Sequence, residues 1–167
     1  MRMLFILAFI ANVALTLVSL AVLPDRVAIH FGADGIADGC ASKDANALTM
    51  TGMHVLLFCM FYFSPRLMLL FPAKWINLPN KSYWLQPAVL PRTKAKISSL
   101  MWQFGTAMFL FFLMIGILSL QANLAPTARL DLGVFLPALG VLLLYTAAWT
   151  FMFLRVFRLP TEKNIGA

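Results

Sequence analysis

Four apolar stretches, near residues 3–23, 48–70, 97–120 and 132–157, constrain this chain more than anything else in it. A bilayer core is about 30 Å thick, and a helix needs about 20 apolar residues to cross it. The four stretches occupy more than half of the 167 residues and leave no room for a separate soluble domain. Lipid offers backbone N–H and C=O groups no partner, so each stretch must satisfy its own as a helix. The runs are continuously apolar and lack the alternation of a membrane barrel. The expected fold is therefore an all-α integral membrane protein, a single membrane domain over 1–167. Its four transmembrane helices carry a short structured extracytoplasmic loop, 24–47, and a cytoplasmic loop, 71–96.

A net charge of +7 raises the question of nucleic acid, and its distribution answers it. Lys74, Lys81, Arg92, Lys94 and Lys96 crowd the second loop, Arg66 precedes it, and Arg155, Arg158 and Lys163 lie at or beyond the end of the fourth span. The first loop instead holds Asp25, Asp34, Asp38 and Asp44, four of the six carboxylates, against Arg26 and Lys43. Positive charge retained on one side orients a membrane protein. Both termini and the second loop are expected in the cytoplasm, with the acidic loop outside. The basic excess then serves topology and contact with lipid head groups, not nucleic acid. Arg2 and Ser19-Leu20-Ala21 faintly suggest a cleavable signal, but the apolar run exceeds a signal core, so the first helix is expected to stay.

The first loop is the one polar, glycine-rich segment between spans. Val27 to Phe31 has the β-branched and aromatic residues of a short extended stretch. Gly32, Gly35 and Gly39, with Asp34 and Asp38, supply turn chemistry, and Ser42 or Asp44 is available to cap the second helix. In the first helix Asn12, Thr16 and Ser19 share a face, which suits hydrogen bonding to neighbouring helices. His54 is expected one to two turns inside the second span, within reach of the loop. Pro65 and Arg66 predict that this span weakens near Ser64, with Arg66–Phe71 running along the interface. Trp75, Tyr83 and Trp84 among lysines read as an interfacial belt. Gly140, Ala147 and Ala148 suggest close helix approach in the fourth span.

Chemistry is sparse. Cys40 and Cys59 belong at different depths and predict no disulfide. His30, Asp34, Asp38 and Cys40 are near one another, yet no paired ligand spacing of a zinc site exists and the carboxylates only loosely suit calcium, so neither metal nor cofactor is expected. No nucleophile elbow, phosphate loop or zincin motif occurs, which argues against an enzyme. All carboxylates lie outside the spans, unlike those of coupled transporters.

Two motifs carry a resemblance. Leu23-Pro24, His30-Phe31, Gly35, Asp38-Gly39 and Ser42-Lys43 resemble the loop of the bacterial family known as domain of unknown function 1648. Asn77-Leu78-Pro79-Asn80-Lys81-Ser82-Tyr83-Trp84-Leu85 is similar to a motif found after the second helix in some members. Cys40-Ala41 stand where the family usually has an aromatic. The same domain occurs in proteins similar to SdpI-type immunity factors, so the resemblance implies an inner-membrane protein with an immunity role as a lead. The expected function is a non-enzymatic binding, sensing or immunity module that recognises a peptide or envelope component through the outer loop. The alternative is a structural or accessory subunit of a membrane complex or transporter. Candidate contacts for a ligand or partner, beyond the lipid bilayer itself, are His30, Asp34, Asp38 and Lys43 in the loop, and Asn80, Lys81, Tyr83 and Trp84 in the second motif.

Overall fold

A computed structural model of the chain describes residues 1–159; Glu162 and Lys163, the latter part of the charge argument, lie outside them. Four helices are long and apolar enough to cross a membrane: α1 (Arg2–Val22), α2 (Lys43–Leu69), α4 (Leu90–Leu124) and α5 (Leu132–Val156). They are the marks of a multi-pass membrane protein. The long helix α4 is the hub. It packs against α1, α2 and α5, whereas α5 lies chiefly along α4 and buries no residue fully.

The fold is not all-α. Strands β1 (Arg26–Phe31) and β2 (Ala37–Ser42) form an antiparallel hairpin between α1 and α2. The extended stretch expected at Val27–Phe31 is β1, but β2 has a composition of Ala, Asp, Gly, Cys and Ser that signals no strand. Its backbone pairs because β1 and the connection before α5 offer partners: Ala37 N–H donates to Ala128 C=O (3.1 Å), and Leu130 N–H to Gly35 C=O (2.8 Å). Helix α2 consequently starts at Lys43, not near Leu48, with the Ser42 hydroxyl accepting from Ala45 N–H (3.2 Å). Helix α4 likewise extends beyond the apolar run at both ends.

The helix does not weaken at Ser64; α2 runs through Pro65 to Leu69. Proline has no N–H to give the carbonyl of Phe61, four residues back. The Ser64 hydroxyl donates to that carbonyl instead (3.0 Å), so no backbone acceptor is left bare.

Two aromatic clusters hold the bundle. In the middle, fully buried Phe5 stacks on Phe58 (ring centroids 5.1 Å) and tilts against Phe109 (5.5 Å). Close approach occurs here, and not at Gly140, whose missing side chain faces open space. At Gly105 of α4 an added Cβ would lie 2.5 Å from the Phe5 ring. Gly105→Val is expected to lose about 1–3 kcal/mol by overpacking, read as a lower unfolding midpoint in detergent. Gly140→Val, on the open face, should leave the midpoint nearly unchanged. Asn12 secures the same α1–α4 seam: its Nδ2 donates to the carbonyls of Ala8 (2.9 Å) and Phe109 (2.8 Å). Of the polar face foreseen on α1, only Asn12 bonds across helices; Thr16 bonds back to Asn12 C=O in its own helix.

Candidate binding site at the hairpin end

One side chain ties the hairpin to the end of α4. Asn123, at the last turn of α4, accepts from Ala28 N–H through Oδ1 (2.7 Å) and donates from Nδ2 to Ala28 C=O (3.0 Å). The amide thus mimics a neighbouring strand for one buried residue of β1. The tip is closed by Gly32 N–H to Ile36 C=O (2.8 Å) and by the Asp34 carboxylate accepting from Ile36 N–H (3.0 Å). Gly35 sits there at φ +79°, and a Cβ would approach Leu130 C=O to 2.7 Å. A positive φ and a passing backbone together require glycine.

Register shifts on either side of His30 leave Ile29 and Asp38 without Cα partners. Such irregularities re-aim side chains. His30 Nδ1 meets the Asp38 carboxylate on the exposed surface, with Gly39 opposite His30 leaving room for its Cβ. Ile29 and Ile36 are half exposed on the same hairpin, Ile29 among the residues that line the cavity beneath it. Lys43 Nζ lies 3.1 Å from the carboxylate of Asp25, and Asp25 is almost fully open to solvent. Cys40 is exposed and unpaired, and among the described residues no three His, Cys, Asp or Glu side chains come together as a metal-ligand set.

Beneath the hairpin, between α1, α2 and α4, lies a cavity of about 170 Å³. Lys43 and Phe31 stand at its hairpin side, Asn12, His54 and Phe112 deeper in the bundle. Because α2 begins at Lys43, His54 is about three turns in, about 16 Å along the helix. It is buried, with the rings of Phe109 and Phe112 at 6.1 and 5.9 Å, and its Nδ1 has no hydrogen-bond partner. The apolar character of these runs gave no sign of a void; only the packing of three helices against a hairpin creates one.

The second group of candidate residues stands at the opposite end of the bundle. Asn80 Nδ2 and Trp84 Nε1 both donate to Phe157 C=O (2.8 and 2.9 Å), so they cap the end of α5. Lys81 Nζ donates to the carbonyls of Lys74 and Ile76 (3.1 and 3.3 Å), and Tyr83 packs edge-on against Trp84. Thr93 of α4 closes the clasp from beneath, its hydroxyl donating to Trp84 C=O (2.7 Å). The structure therefore brings His30 and Asp38 together, places Asp34 at the turn and Lys43 at the cavity, and sets Asn80, Lys81, Tyr83 and Trp84 in a separate clasp. Sequence reasoning missed Asn123, whose only signal was an amide just beyond the end of an apolar run.

No curated protein and no solved structure matches the chain. The family model described as domain of unknown function (DUF1648) matches residues 7–54, which span most of α1, the whole hairpin and the first turns of α2. The Asn77–Leu85 motif lies beyond that match. The chain is thus similar to the DUF1648 family over residues 7–54.

Proposed function

We propose that this chain is a non-enzymatic recognition module of the bacterial inner membrane. The hairpin faces outward, both termini face the cytoplasm, and a peptide or envelope component is the ligand. The observation that carries this reading is the presentation of His30 and Asp38. They form an exposed polar pair on a hairpin that also leaves Ile36 half exposed and that Asn123 ties to α4. A rigid, mixed polar and apolar surface loses little entropy on binding an extended partner. The contrast between the acidic hairpin connection and the basic connection at the other end supports the orientation. An immunity role is the form of this reading that a cell assay tests directly.

Cells expressing the chain are expected to survive membrane-active peptides secreted by competing bacteria better than cells without it. His30→Ala and Asp38→Ala should abolish that protection. The same variants should cost less than about 1 kcal/mol of stability, because the pair is exposed, and leave protein levels unchanged. If wild-type expression alters survival to no peptide, the immunity form is lost. If both variants melt early, the pair is a structural clasp. The second reading, an accessory subunit, then gains, and α5 favours it by exposing apolar residues such as Val141, Leu144 and Phe151 along its length. Chelator is expected to leave the wild-type midpoint where it is; a drop would assign a metal to the hairpin.

A further inference from the structure

We propose that the cavity beneath the hairpin is a binding site for an uncharged, ring-sized molecule carrying a hydroxyl, of the phenol class, with His54 as its hydrogen-bond partner. This site is separate from the exposed face of the hairpin, and the proposal stands or falls independently of the recognition role.

Size comes first. At about 170 Å³ the cavity is close to an engineered apolar cavity of about 150 Å³ that admits benzene. The walls come next. Leu15, Met50, Phe112 and Ile115 supply apolar surface, and Thr16, Ser19, Asn46 and Ser119 add polar groups, so the void suits a ring that itself carries a polar group. Phe112 also offers a face or edge to an aromatic guest.

Polarity then narrows the class. Among the described residues two buried side-chain nitrogens lack a partner, His54 Nδ1 and Trp102 Nε1, and of these two residues only His54 lines the cavity; Asn12, also on its wall, spends both Nδ2 protons on carbonyls. Leaving a buried ring nitrogen unpaired is costly. A neutral imidazole has one donor and one acceptor nitrogen, and a hydroxyl can answer either. Among the described residues that line the cavity, the one formally charged side chain is Lys43, near the hairpin and already paired with Asp25. No carboxylate lines it, so a cation finds no partner inside, and the deep end offers an anion no fixed charge. An ionisable residue inside a span marks a functional site by default.

The test uses fluorine NMR of the full chain in lipid nanodiscs, with para-fluorophenol as probe and fluorobenzene as its hydroxyl-free control. Para-fluorophenol is expected to give a saturable bound signal, with fluorobenzene binding about tenfold more weakly. His54→Leu should reduce the phenol to the level of fluorobenzene. Ser119→Leu fills the cavity from α4 without touching His54 and should abolish both signals. A long-chain alkylphenol supplied through the lipid tells the ring's source. Displacement of the probe points to the head of a membrane-resident amphiphile, and no displacement points to a small aqueous phenol. The proposal is overturned if the wild type gives no saturable signal. It is equally overturned if the two probes bind alike, since the cavity then holds only a greasy ring or water. The wild-type comparison decides the matter even if a variant fails to fold.

Discussion

Trp84→Ala is expected to be among the most damaging single substitutions in this chain, lowering stability by about 3–5 kcal/mol, the usual cost of deleting a buried large aromatic. Trp84 is 2% exposed and lies edge-on to Phe157 with ring centroids 5.3 Å apart. Removing it does more than open a cavity. Its Nε1 and the Asn80 amide share Phe157 C=O, where α5 ends and its last carbonyls lack helical partners. The loss should therefore be felt first in α5, which has little other attachment than α4. Trp84→Phe separates the two contributions: it keeps most of the packing and deletes the donor, and should cost about 0.5–1.5 kcal/mol. Detergent unfolding midpoints, with accessibility of a cysteine placed in α5, provide the readout. A wild-type midpoint for Trp84→Ala would remove the clasp from the account of stability.

Asn123→Leu should loosen β1 from α4, while the bonds to residues 128–130 still hold the hairpin's tip. Leucine matches asparagine roughly in size but leaves both Ala28 N–H and Ala28 C=O without their partner. Ala28 is 5% exposed, so water does not readily replace the amide. Two buried backbone groups stranded at about 1–3 kcal/mol each put the local cost at about 2–4 kcal/mol, after partial rearrangement. Amide exchange at Ala28 and its neighbours in β1 should quicken far more than exchange in α1 or α4, because the opening is local. Asn123→Gln does not restore the geometry, since the added methylene displaces the amide. Unchanged exchange in β1 would show that the strands hold themselves, and that the rigid presentation invoked for His30 and Asp38 has another source.

The two motifs of the resemblance part company in three dimensions. His30, Asp34, Asp38 and Lys43 sit on or beside the hairpin, inside the stretch that matches DUF1648. Asn80, Lys81, Tyr83 and Trp84 lie at the other end of the bundle, where the side-chain nitrogens of Asn80, Lys81 and Trp84 are committed to backbone carbonyls. The polar outer loop suggested partner contact for the first group, and proximity to an interfacial belt suggested it for the second. Only the distant carbonyl of Phe157, 73 residues away from Trp84, explains why an indole N–H is needed there. Long-range capping of this kind has no local periodicity, and spacing rules do not detect it.

What the amino-acid sequence determined by itself is whatever follows from solvent and local chemistry. Continuous apolar length dictates four spanning helices, because a backbone in lipid has no other way to pair its polar groups. Gly35 with Asp34 announces the turn, and Ser42 announces the start of α2. What only the tertiary structure decided depends on which surfaces meet. Strand β2 exists because β1 and residues 128–130 supply the bonds its own composition does not promote. Helix α2 passes Pro65 because Ser64 covers the exposed carbonyl. The polar face of α1 is divided between a seam at Asn12 and a cavity wall at Thr16 and Ser19. His54 faces a void and not the loop because helix, hairpin and helix leave space between them. Apolar patterning specifies burial from water, but every lipid-soluble face satisfies it equally. Shape complementarity among the helices chooses between those faces, and that information is distributed over residues far apart in the chain.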